Sequence, residues 1–202
     1  MRGAMLAILA GSALALGSTA ANATAYIGFT TGCFGTPCTT GTTTATVGGL
    51  TFTQGTFNQN DSGGFLALGG STDNLGSLAL TNAVFNYGTT PFTLFVTFTQ
   101  PGSLIGTYMA TLVGNVTATN NGGVQFNFSN PTQLFTYVGG AFTLSVNNFS
   151  VSGGAEGSRI SGFIQTLPVP EPATWTLMLL GFGGMGMALR RSRRRPALAQ
   201  IA

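Results

Sequence analysis

From residue 92 to residue 99 the chain reads Phe-Thr-Leu-Phe-Val-Thr-Phe-Thr. Phe92, Leu94, Val96 and Phe98 fall on one side of an extended backbone; Thr93, Phe95, Thr97 and Thr99 fall on the other. A period of two with one apolar and one mostly polar side is the pattern of a half-buried antiparallel strand, and no helix can bury it on one face. The same alternation sets Val124, Phe126 and Phe128 against Gln125 and Asn127, and Phe142, Leu144 and Val146 against Thr143 and Ser145. After Asn147-Asn148 the apolar positions become Phe149 and Val151, a change of phase that predicts a β-bulge. Gly-Gly pairs at 48–49, 63–64, 69–70, 122–123, 139–140 and 153–154 punctuate these runs. Asn120-Asn121-Gly122-Gly123 between two of them predicts a hairpin. No amphipathic helical stretch interrupts residues 26–167, and no fixed repeat suggests a propeller or β-helix. The expectation is an all-β domain of nine or ten short strands, an antiparallel β-sandwich or jelly-roll-like fold.

Charge is scarce and unevenly placed. Charged residues make up 5% of the 202, against about 25% in an ordinary soluble domain, and there is no His. Lys is also absent, so all positive side chains are Arg. Residues 26–167 hold Asp61, Asp73 and Glu156 against Arg159, a net of −2. The overall +3 therefore comes from the ends: Arg2 at one, and five arginines against Glu171 at the other.

The N-terminal end has the parts of a secretory signal peptide over residues 1–25. Arg2 precedes an apolar run from Ala4 to Leu16, and two overlapping A-x-A sites follow, Ala21-Asn22-Ala23 and Ala23-Thr24-Ala25. The apolar run is shorter than the roughly 20 residues a membrane span needs. A mature chain would begin at Thr24 or Tyr26, after passage through the secretion translocon and cleavage by signal peptidase. Cys33 and Cys38 flank Phe-Gly-Thr-Pro, a turn able to bring two sulfurs together. In an oxidising compartment that spacing favours a disulfide. A zinc site would need further Cys or His ligands that the chain lacks, and a redox C-x-x-C would need two intervening residues instead of four.

At the other end, Pro168, Pro170 and Pro172 impose an extended linker after which a helix can start. Trp175 stands where an interfacial aromatic would, and no charge occurs from Trp175 to Leu189. Arg190, Arg191, Arg193, Arg194 and Arg195 follow at once, a stop-transfer cluster that predicts a short transmembrane helix with its C-terminus in the cytoplasm. Five arginines beside an apolar span mark topology more often than phosphate contacts, so no nucleic-acid partner is expected. The plain alternative is a membrane anchor that is never processed.

With Pro170-Glu171-Pro172, Trp175, the Gly-Phe-Gly-Gly stretch and the Arg cluster in this order, residues 168–195 resemble the PEP-CTERM sorting signal, in its variant with two residues between the triplet and Trp. The resemblance implies a Gram-negative exported protein, transiently held in the inner membrane by its C-terminal helix and then processed by an exosortase near Pro170-Glu171-Pro172. It also implies association with exopolysaccharide, as in a biofilm or floc matrix. Thr176 stands where that variant commonly has Ala, and residues 196–202 extend past the Arg cluster as a short cytoplasmic tail.

The central region offers little chemistry. General acid–base catalysis draws mostly on His, paired carboxylates or Lys, and three scattered carboxylates satisfy no such motif. Asn58 to Ser62 has some likeness to a calcium loop, but its twelfth position is Gly69 instead of Glu, and a turn fits better. Glu156 and Arg159 read as a surface pair. No catalytic residue, cofactor or metal is expected, so the chain reads as a non-enzymatic surface or matrix protein. A rival reading is a carbohydrate-binding module or adhesin using Tyr26, Tyr87, Tyr108 or Tyr137 as exposed platforms, since Trp175, the only Trp, belongs to the tail.

Overall fold

The structure is a computed structural model that describes residues 23–61, 64–81, 83–88, 90–116, 122–154, 157–167 and 172–192. Fifteen strands and one helix are described, so the all-β expectation for the central region holds. The largest sheet, A, runs in the order β13 (Phe149–Ser152), β10 (Gly122–Phe128), β9 (Leu104–Val116), β8 (Phe92–Gln100), β1 (Ala25–Phe34) and β4 (Thr56–Asn60), with β7 (Phe85–Asn86) also paired to β9. Sheet B is β14 (Ser158–Arg159), β6 (Ser77–Leu80), β3 (Leu50–Thr53) and β2 (Thr44–Val47). Sheet C is β11 (Thr132–Tyr137), β12 (Gly140–Val146), β15 (Gly162–Leu167) and β5 (Phe65–Leu68). Every described pairing is antiparallel.

The alternation read in the sequence becomes two layers. Phe92, Leu94, Val96 and Phe98 of β8 are all fully buried on one face of sheet A. At one end of that face Phe92 meets Phe52 of sheet B, with ring centroids 5.5 Å apart. At the other end Phe98 meets Phe142 of sheet C at 4.9 Å, edge to face. Tyr26 joins the same ring cluster, 5.0 Å from Phe142. Sheets B and C thus share the task of covering sheet A. Each fully buried Phe or Leu contributes roughly 1.5–3 kcal/mol of transfer free energy, the largest favourable contribution to holding the layers together.

Two sequence expectations change on inspection. The phase shift at Asn147-Asn148 is a change of sheet instead of a bulge: β12 ends at Val146 in sheet C and β13 begins at Phe149 in sheet A. The two asparagines secure the crossing. Asn147 donates its backbone N–H to the Ser161 carbonyl (2.9 Å), and Asn148 Oδ1 accepts the backbone N–H of Phe128 (2.8 Å). The fifteen strands described exceed the nine or ten expected, and two of them, β7 and β14, are only two residues long, below what periodicity can register. The hairpin expected at 120–123 is the pairing of β9 with β10, where Gly122 lies opposite Val116; residues 117–121 lie outside the described residues. The Gly48-Gly49 pair forms the two-residue turn from β2 to β3, with φ of 51° and 85°, the left-handed values such a turn demands.

Candidate functional site

The last strand leads straight into the C-terminal segment. Leu167 closes β15 opposite Ala141. Pro168, Pro170 and Glu171 lie outside the described residues, and α1 spans Pro172–Ser192. Pro172 occupies the first helical position, where its missing N–H costs nothing. Trp175 falls in the first turn, and Arg190 and Arg191 fall in the last, where cations favour the carbonyl end of the helix dipole. Arg193, Arg194 and Arg195 lie outside the described residues, as do the residues before Ala23 where a signal peptide is expected. From Thr176 to Arg190 every side chain is exposed, including Leu179, Phe182 and Met187. Among the described residues no helix is long and apolar enough to cross a membrane. Gly181, Gly183, Gly184 and Gly186 dilute the apolarity of α1, and the expected transmembrane span is to that extent not carried by the helix itself.

Cys33 and Cys38 form a disulfide, with Cα atoms 6.2 Å apart. It closes the turn leaving β1, whose strand partner at Cys33 is Thr93.

The tyrosines do not form an exposed platform. Tyr26, Tyr87 and Tyr108 are fully buried, and Tyr137 is half-buried against the core. Tyr26 and Tyr108 fall on the inward phase of β1 and β9, Tyr108 in phase with Ala110 and Leu112, and Tyr87 follows directly after β7. The Tyr108 hydroxyl donates to the Leu144 carbonyl at 3.0 Å, tying sheet A to sheet C. The Tyr87 hydroxyl donates to the Gly48 carbonyl. Burial pushes the phenols of Tyr26, Tyr87 and Tyr108 above the ordinary tyrosine range.

The two described carboxylates serve loops. Asp61 Oδ1 accepts the Gly64 N–H at 2.6 Å. Asp73 Oδ1 accepts the Asn58 N–H at 2.8 Å, and Oδ2 accepts the Thr72 hydroxyl at 3.0 Å. The Asn58 N–H, with help from the side chains of Gln59 and Thr72, holds the Asp73 carboxyl below the usual carboxylate range. Arg159 lies in β14, and Glu156 lies outside the described residues.

Asp73 also borders an open groove of about 640 Å³ that lies over β1 and β4 at the edge of sheet A. Ile27 and Phe29 of β1 line it together with their cross-strand partners Asn58 and Thr56. Thr99 enters it from a β-bulge, being the extra residue of β8 where the register passes from Ile27↔Gln100 to Gly28↔Phe98. No local sequence pattern marks this site, since its members come from β1, β4, β8, the turn before β4 and the loop before β6.

A β-rich domain followed in sequence by a proline-rich stretch, a helix and an arginine cluster is the plan of a protein with a C-terminal sorting segment. Residues 168–195 match the PEP-CTERM protein-sorting motif. This chain is thus a PEP-CTERM motif-bearing protein, and the motif implies export, sorting to the cell surface and an exosortase as processing partner. No curated protein and no solved structure matches the chain significantly.

Proposed function

We propose that this chain is a non-enzymatic matrix protein of a Gram-negative bacterium, delivered by its signal peptide, held briefly in the inner membrane by α1 and released by an exosortase acting between the β domain and the helix. The observation that carries the reading is the junction itself. The matched motif begins at residue 168, one position after Leu167 completes β15. A cut within 168–172 would leave each strand of the domain paired as it is. We read the two-layer packing as a jelly-roll-like sandwich, and the exposed α1 as a segment whose apolar side chains are covered only while it sits in the bilayer, with Arg190, Arg191, Arg193, Arg194 and Arg195 at the cytoplasmic face.

The role outside the cell is association with exopolysaccharide in a biofilm-like matrix. Its support is a domain that carries almost no charge and meets its surroundings through hydroxyl, amide and aromatic groups. The decisive measurement is the intact mass of the protein from cells with and without the exosortase. Loss of the helix in the first and its retention in the second is the expected result. Pro170→Ala with Glu171→Ala should reproduce the retained helix in exosortase-positive cells. A helix retained in both backgrounds would leave the plain membrane anchor as the correct reading.

A further inference from the structure

The groove beside β4 is built by features that strand formation alone does not require. β4 is the edge of sheet A, and an open edge ordinarily offers its backbone to another strand. Here two of the outward groups are occupied: the Asn58 N–H by Asp73 Oδ1 at 2.8 Å, and the Thr56 carbonyl by the Asn74 N–H at 3.2 Å. A peptide adding itself as a further strand would have to displace both bonds. A phosphate-bearing ligand is disfavoured as well, because no cation lines the groove and its one charge is the Asp73 carboxylate. What remains available is an apolar floor from Ile27 and Phe29, both half-buried, flanked by the exposed amide of Asn58 and the exposed hydroxyls of Thr56 and Thr99. The bulge in β8 is what brings Thr99 there, and its hydroxyl donates to the Ile27 carbonyl at 3.2 Å, leaving its oxygen able to accept. Bulges re-aim side chains in this way beside binding sites.

We propose that this groove binds a neutral, polyhydroxylated chain, an uncharged oligosaccharide, with the sugar ring resting on Phe29 and its hydroxyls bonded by Asn58, Thr99 and Asp73. The size suits several linked rings, lying within the roughly 300–1,000 Å³ usual for ligand sites. With a single carboxylate among its lining residues, the groove has no acid–base pair for cleaving what it holds. The inference deepens the matrix reading above and rests on it, but its test does not pass through sorting.

Full-length protein in neutral detergent is titrated calorimetrically with cellohexaose, laminarihexaose, mannohexaose and a dextran oligomer, and in parallel with hexagalacturonate and a polythreonine peptide. At least one neutral hexaose should bind with Kd at or below about 1 mM, with the uronate and the peptide weaker. Asn58→Ala and Thr99→Val, both at exposed positions, should each weaken that binding about tenfold, the equivalent of one lost hydrogen bond. Phe65→Ala should leave it unchanged, since Phe65 stacks on Phe163 in sheet C, away from the groove. Absence of binding by all neutral probes, tighter binding of the uronate or peptide, or binding indifferent to both groove variants would each overturn the proposal. The exosortase mass comparison would stand in any of these cases, and failure of that comparison alone would leave the groove intact.

Discussion

Thr30 is the sharpest test of how the layers are joined. It lies on the inner face of β1, fully buried, at a position where the alternation of Tyr26, Gly28 and Gly32 gives no reason for a hydroxyl. Its Oγ1 accepts the N–H of Gly55, buried itself, at 3.0 Å and donates to the carbonyl of fully buried Leu75 at 3.2 Å. The Thr30 N–H donates in turn to the Gly55 carbonyl at 3.0 Å. One side chain therefore fastens the entry to β4 and the loop before β6 onto β1. Thr30→Val keeps the shape and removes both hydroxyl bonds. Two neutral hydrogen bonds are worth about 1 kcal/mol each, and stranding the Gly55 N–H adds its desolvation, for a loss of about 2–4 kcal/mol. Each kcal/mol lowers the midpoint of a domain this size by about 3–5 °C, so a drop of about 6–20 °C is expected. Thr30→Ser keeps the hydroxyl and should cost no more than about 1 kcal/mol for its missing methyl. Urea unfolding followed by circular dichroism reads both variants against the parent at matched slopes. If valine and serine variants were equally stable, the hydroxyl would carry nothing and the proposed fastening would be wrong.

Replacing Cys33 and Cys38 together by Ser should cost about 2 kcal/mol, the modest value a crosslink five residues apart implies, readable as a lowered urea midpoint. The chain has no His or Lys and its described cysteines are bonded, so apart from the terminal amine little titrates between the carboxylates and the tyrosines; stability measured against pH should be flat from about pH 5 to about pH 9. On the acid side, the folded pKa of Asp73 lies below its ordinary 3.8, so its contribution is present above that value and disappears as pH falls through the lowered one; Asp73→Asn should flatten this limb. On the alkaline side the buried tyrosines have raised folded values, so their contribution is complete below 10.0 and is lost as pH climbs beyond it, with Tyr108→Phe shallower in the same titration. The mature N-terminal residue should be Thr24, because a cut after Ala25 would put a charged amine on fully buried Tyr26 and remove the Thr24 carbonyl that accepts the Asp61 N–H at 2.9 Å; N-terminal sequencing decides.

The strands with several alternating pairs were legible because their pattern and their burial have the same cause: β8 and β10 put inside the residues their sequence offers. The tail was legible because linker, helix and arginines are contiguous. What could not be read locally depends on distant partners. Asn147-Asn148 looks the same in sequence whether the strand bulges or leaves its sheet, and only the pairing of β12 with β15 and of β13 with β10 separates the two. The tyrosines misled for a related reason: Tyr suits a wet interface or a core with one hydrogen-bond acceptor, and the acceptors of Tyr87 and Tyr108 lie 39 and 36 residues away in the chain. Thr30 and the groove belong to the same class, since their partners come from strands that meet only in the folded sheet.

Scarcity of charge poses a problem that the loops answer. Sheets without charged edges join to one another, and natural proteins commonly block this with lysines or inward-pointing charges. This chain has no lysine, and among the described residues the β domain has only Asp61, Asp73 and Arg159. It covers its edges with loop segments instead, at β4 partly through the Asp73 carboxylate. Asp73 and Asn74 occupy two outward groups of β4; the Gly69 and Gly70 N–H groups after β5 are taken by the Asp73 carbonyl at 2.8 and 2.9 Å; Gly154 beyond β13 donates to the Leu80 carbonyl of β6 at 2.8 Å. The segment from Gly69 to Gly76 thus closes its own turn and covers part of the β4 edge, with Asp73 bonding β4 through its carboxylate and the turn through its carbonyl. The same closure turns β4 from a site of strand addition into the wall of a groove. Protection against self-association and the chemistry of the groove are then one device, and Asp73→Ala should disturb both together: a soluble protein that begins to oligomerise on gel filtration while its groove loses affinity. Loss of either property with full retention of the other would separate the two roles.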